Sequence, residues 1–125
     1  MPGASTINFH NSYPHTIYVA YLRRDWSCGD ECGEPWDVLG WAKIDPGGSA
    51  SRANPTNNRW FYYHAEATDG AYWAGPFVAE VSNAKFEKCT CIGVTEENGE
   101  PTNPYHDVGF RELDANTYSG VNFVP

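Results

Sequence analysis

The chain has 125 residues with 16 acidic and 8 basic side chains, a formal net charge of −8. That length suits one domain, and folding at this size buries roughly two-thirds of the unfolded surface, enough for stability without covalent staples. Eight scattered basic residues exclude a phosphate-neutralising nucleic-acid surface and an anionic-membrane patch, and no apolar run of about 18 residues is present to cross a membrane as a helix.

Phe, Tyr and Trp make up 15% of the chain, beside 12 Gly and 9 Pro. Aromatics favour pleated surfaces while Gly and Pro supply turns, so this balance predicts many short strands. No window carries a helical stripe at i, i+3, i+4, i+7. Met1 to Asn11 lacks a basic segment followed by an apolar one, so no signal peptide is visible. If Met1 stands in for a removed leader the protein is expected to be secreted; otherwise it is expected in the cytoplasm.

Ile7 to His10 reads as a short first strand, ended by the turn Asn11-Ser-Tyr-Pro14. Thr16 to Arg23 is apolar on both alternating faces, as in a central strand covered on both sides. Asp25 to Pro35 is a loop with two cysteines, and Trp36 to Ile44 is a strand closed by the tight turn Asp45-Pro-Gly-Gly48. Gly48 to Ala53 leads to a turn at Asn54-Pro-Thr-Asn-Asn58. In the strand Arg59 to Thr68, Phe61, Tyr63, Ala65 and Ala67 form a core face. Trp60, Tyr62, His64 and Glu66 form the other, and Glu66 at its end points to solvent on that side. Asp69-Gly70 signals a hairpin to Ala71–Trp73. Phe77 to Val81, Phe86 to Val94, Val108 to Leu113 and Tyr118 to Phe123 are the remaining strands, with an acidic loop at Glu96 to Pro104. Strands at this spacing predict an all-β, single-domain antiparallel β-sandwich over residues 1–125, with a partly open β-barrel as the alternative.

Four cysteines occur as Cys28-x3-Cys32 and Cys89-x-Cys91. On an extended strand Cys89 and Cys91 share a face with Cα atoms roughly 6.6 Å apart, a poor geometry for bonding to each other. Each would reach instead to Cys28 or Cys32 as a disulfide, or all four would hold a structural zinc, the only cofactor the residues suggest, or the four would stay reduced as packed thiols. The spacing is not the Cys-x2-Cys of zinc ribbons, and a redox role lacks the Cys-x-x-Cys motif.

Gly40-Trp41, Pro46-Gly47, Arg59-Trp-Phe-Tyr-Tyr63 with Ala65-Glu66, Trp73-Ala-Gly75 and Gly109-Phe110 with Leu113-Asp114 occur in that order. Together they resemble the bacterial domain of unknown function numbered 1036, from about Ile7 to the C-terminus. The resemblance implies a small β-rich protein without an established activity, sometimes exported. It also implies cysteines in relatives where this chain has His10, Ser49 and Val78, so the family's cross-links do not transfer to this chain.

Metalloprotease, serine-hydrolase-elbow and P-loop motifs are absent. His106 and Asp107 are adjacent, and on a strand they point to opposite faces rather than forming a dyad. Glu66, Glu80, Glu112 and Asp114 are candidate carboxylates, but no spacing selects a pair for glycoside hydrolysis. The acidic loops lack the calcium-loop ladder. The face carrying Trp60, Tyr62 and His64 is the candidate ligand site if it is open, because open aromatic rings stack on sugars or anchor a protein partner; the alternative is that a second sheet or a long loop covers it as core. The expectation is a small non-enzymatic binding or interaction module for a glycan or a protein. A structural component of a larger assembly and a hydrolase without a recognised motif are the alternatives.

Overall fold

In the computed structural model, the described residues are 5–24, 36–56, 58–82, 84–90 and 105–125. They contain no helix and ten strands. These are β1 (Ser5–Asn11), β2 (Ile17–Arg24), β3 (Trp36–Ile44), β4 (Ser49–Asn54), β5 (Trp60–Ala67), β6 (Tyr72–Trp73), β7 (Phe77–Ser82), β8 (Phe86–Thr90), β9 (Tyr105–Asp114) and β10 (Gly120–Phe123). The architecture is all-β, and each strand expected from alternation is found within a few residues of its expected ends. The Cys28–Cys32 loop, the Glu96–Pro104 loop and residues 91–94 of the expected Phe86–Val94 strand lie outside the described residues.

The strands form two sheets. The smaller runs β10-β1-β4, with β10 parallel to β1 and β4 antiparallel to it. The larger runs β7-β9-β5-β2-β3-β8, with β6 paired to β5. All its pairings are antiparallel. The strands β7 and β8 lie at opposite ends of this order, yet only residues 83–85 connect them in the chain. The four residue steps from Ser82 to Phe86 span at most about 14 Å, well short of a flat sheet's width, so the sheet must curl until its two ends meet. The Trp41 indole N–H on β3 donates to the Ser82 carbonyl at the end of β7, at 2.7 Å, across that closure. Sandwich and partly open barrel are therefore both present.

Each side of the curled sheet buries its own cluster. On the outside, Phe61, Tyr63, Ala65 and Ala67 of β5 pack with Ile17, Val19 and Tyr21 against Ile7, Phe9 and Phe123 of the small sheet. Phe9 is the hub of this layer, with four aromatic rings 6.1–6.3 Å from its centroid. Within the curl, Ala20, Leu22, Val38, Tyr62, Val81 and Phe110 form a second cluster.

A bulge makes β3 serve both clusters. Val19 pairs with Ala42 and Tyr21 with Leu39, so Ala20 opposes the two residues Gly40 and Trp41. One extra residue reverses the phase of a strand. Val38 thus faces the inner cluster before the bulge, while Ala42 and Ile44 face the outer one after it.

Turn chemistry fixes the hairpins. In Asp45-Pro46-Gly47-Gly48, the Gly48 N–H donates to the Asp45 carbonyl at 2.8 Å and Gly47 sits at φ 80°. Proline second and a positive-φ glycine third make this a type II turn.

Candidate functional site

The face of β5 that carries Trp60, Tyr62 and His64 lines the inside of the curl. Tyr62 and His64 are only 5% and 4% exposed. The suggestion that this face meets solvent fails at both, and the alternative of a covered face holds there: Phe77 of β7 and Trp36 of β3 pack on Tyr62, and Trp41 of β3 and Phe110 of β9 pack on His64. Tyr62 packs between a tilted Phe77 and an edge-on Trp36, with ring centroids 4.9 and 5.7 Å away. Its hydroxyl donates to Glu112 at 3.2 Å. Burial first, then the nearby Glu112 charge, pushes its pKa up to about 12. Trp60 is half-buried under the Arg59 guanidinium, 4.5 Å above its ring, and Asp114 holds that guanidinium through two hydrogen bonds of 3.0 and 3.2 Å.

Among the described residues this face is most open at its Glu66 end, the mouth of the curl. Strand register sets out a row there. Tyr18 on β2 pairs with Lys43 on β3 and with Glu66 on β5, and Glu66 pairs with Tyr72 on β6. All four side chains are exposed, Tyr72 at 69% and Tyr18 at 37%. Strands lie about 4.8 Å apart, so the two tyrosines stand on strands roughly 10 Å apart with a carboxylate between them. Beside the row opens a cleft of about 320 Å³ lined by Tyr18, Trp41, Glu66 and His106. A smaller hollow on the other side of Glu66 is lined by His64, Gly70 and Tyr72.

His64 links the mouth to the interior. Its Nδ1 lies 2.8 Å from the Gly109 carbonyl and its Nε2 lies 2.8 Å from Glu66 Oε2. A carbonyl only accepts, so Nδ1 carries a proton. Trp41 and Phe110 pack against the imidazole with centroids 6.1 and 5.9 Å away.

Alternation signalled Trp60, Tyr62 and His64 but not Tyr18, Trp41, Tyr72 and His106, which converge from four strands. Only the exposed end of each strand marks this ring, and nothing in the linear pattern says which ends share a mouth. Of the other sequence candidates, Glu80 is buried on β7, and Asp107 pairs with it in register. Among the described residues no three His, Cys, Asp or Glu side chains come together as a metal site. Cys89 on β8 is disulfide-bonded and pairs in register with Asp37. Cys28, Cys32 and Cys91 lie outside the described residues. No helix among the described residues is long and apolar enough to cross a membrane.

Comparison with known proteins finds no family model, no curated protein and no solved structure that matches this chain.

Proposed function

We propose that this chain is a non-enzymatic binding domain that takes a glycan at the mouth of its curled sheet. The observation that carries this reading is the exposed row Tyr18–Glu66–Tyr72 across three adjacent strands. Sugar rings present apolar faces and hydroxyl edges, so two aromatic platforms flanking a carboxylate suit successive units of a saccharide. Ligand sites recur at the mouths of β-barrels for the same reason: the wall is rigid and the opening concave. A protein interface would need about 800 Å² from each partner, far more than two tyrosines offer. Hydrolysis of a glycosidic bond needs two carboxyl groups facing each other across a cleft, and Glu66 is the one carboxylate lining this cleft among the described residues.

Glycan-array binding tests the reading. Wild-type protein should retain oligosaccharides, and Tyr72→Ala and Tyr18→Ala should each weaken binding about tenfold or more, the loss of one stacking contact. Unchanged circular dichroism would show that the fold survives. No retained glycan, or binding by both variants as strong as wild type, overturns the proposal.

Kinship with the domain of unknown function numbered 1036 is likewise proposed, on the motifs quoted above. His10 and Ser49, where the resemblance implies cysteines in relatives, pair directly in register and hydrogen-bond at 2.7 Å. Neighbouring positions of that kind are what a cross-link in relatives would require.

A further inference from the structure

Trp41 also walls a second, larger cleft, of about 400 Å³, whose floor is formed by Leu39, Ala42 and Phe86. It opens where β8 stops pairing with β3, after the Gly40–Phe86 pair, and where β4 of the small sheet approaches. Two cations reach it, Arg52 from β4 and Lys85 from the β7–β8 connection, against one carboxylate, Glu87. In a chain with twice as many acids as bases, this is a locally positive cleft on an acidic molecule.

Arg52 is held in place. Its Nη1 donates to the Ser51 carbonyl at 2.8 Å, and its positive charge lies near the Tyr21 hydroxyl, whose pKa burial raises and that charge lowers. A guanidinium has five N–H donors in a planar fork, so donors remain for a ligand. Lys85 is exposed and free to swing, a mobile point charge beside a fixed fork. Volume, apolar floor and a few convergent polar groups are the features of a small-molecule site.

We propose that this cleft binds an organic carboxylate, its apolar body on Leu39, Ala42 and Phe86 beside Trp41 and its carboxylate between Arg52 and Lys85. Arg binds a carboxylate through two parallel N–H···O bonds, while Glu87 on the rim repels a second negative charge. A monoanion with an apolar body is therefore favoured over a phosphate dianion, which would leave the floor uncovered.

The test is an amide and indole N–H chemical-shift titration of the full chain with phenylacetate, with 2-phenylethanol and inorganic phosphate as comparison probes. Phenylacetate should give saturable shifts at Leu39–Ala42, at Arg52 and at the Trp41 indole, with the alcohol and phosphate each about tenfold weaker or more. Arg52→Gln should weaken phenylacetate about tenfold, Lys85→Gln by a few-fold, and Tyr72→Ala not at all. The absence of saturable shifts overturns the proposal, as does equal binding of the alcohol or of phosphate, or an unaffected Arg52→Gln. Should Arg52→Gln fail to fold, the exposed Lys85→Gln and the alcohol comparison decide the matter: no charge dependence in either overturns the site.

Discussion

Asn11 is fully buried, and its side chain ties three segments together. Its Nδ2 donates to the His15 and Ile44 carbonyls at 2.9 Å, and its Oδ1 accepts from the Tyr13 N–H at 2.8 Å. Its backbone carbonyl accepts from the Gly47 N–H at 2.7 Å, so the type II turn is fixed to the same residue. Asn11→Ala leaves those buried groups without partners, a penalty of about 1–3 kcal/mol each and about 2–4 kcal/mol together after relaxation. Urea unfolding should show a lower midpoint with an unchanged slope. Tyr62 makes a prediction about pH. Its pKa is raised from 10.0 to about 12 in the folded protein, so its contribution to stability is full below pH 10 and is lost as pH rises through about 12. In an absorbance titration of tyrosinate, Tyr62 should ionise near pH 12, and Tyr62→Phe should reduce that step by one tyrosine, leaving the raised Tyr13 and Tyr21 in place. A Tyr62→Phe titration identical to wild type would contradict this.

At the scale of elements, strand existence was legible and strand surroundings were not. Nine segments read as strands because β-rich alternation is local and turn residues bracket it, while β4 (Ser49–Asn54) read only as a lead into a turn. The same logic read Phe61, Tyr63, Ala65 and Ala67 as core, and they pack on the small sheet. It also took Glu66 as a sign of an open face, which holds at Glu66 itself and fails two and four residues earlier, at His64 and Tyr62. Alternation separates two faces of a strand; it does not reveal what another strand lays over either. The crossing of residues 74–75 over β9 is a second contact of this kind. A Cβ on Gly109 would collide with the Gly75 carbonyl, and one on Gly75 would come within 2.5 Å of the Phe110 carbonyl. Arg111 Nε donates to Ala74 O at 2.9 Å across the same crossing. Backbone on both sides leaves nothing flexible to give way, so Gly109→Ala should lower stability by about 2–4 kcal/mol. Because Gly109 also supplies the carbonyl that His64 meets, the His64 ring resonances should shift in the same variant. Unchanged stability in thermal or urea unfolding would show that the two segments can separate freely.

For the molecule as a whole, one connection determines where the sites lie. Residues 83–85 join the two ends of a six-strand order. That closure converts an aromatic sheet face into an interior and leaves its rim as a mouth. Trp41, placed at the bulge and hydrogen-bonded across the closure, stands between the two clefts. The sequence by itself determined the strand content, the turns, the outer core face of β5 and the net negative charge, since each depends on neighbouring residues or on a sum over the chain. Only the tertiary structure decided that Tyr62 and His64 are interior, that Tyr18, Glu66 and Tyr72 form the exposed row, and that Arg52 and Lys85 share a cleft. Those facts depend on which strands become neighbours, and contacts between residues distant in the chain arise from closure of the sheet rather than from any local pattern.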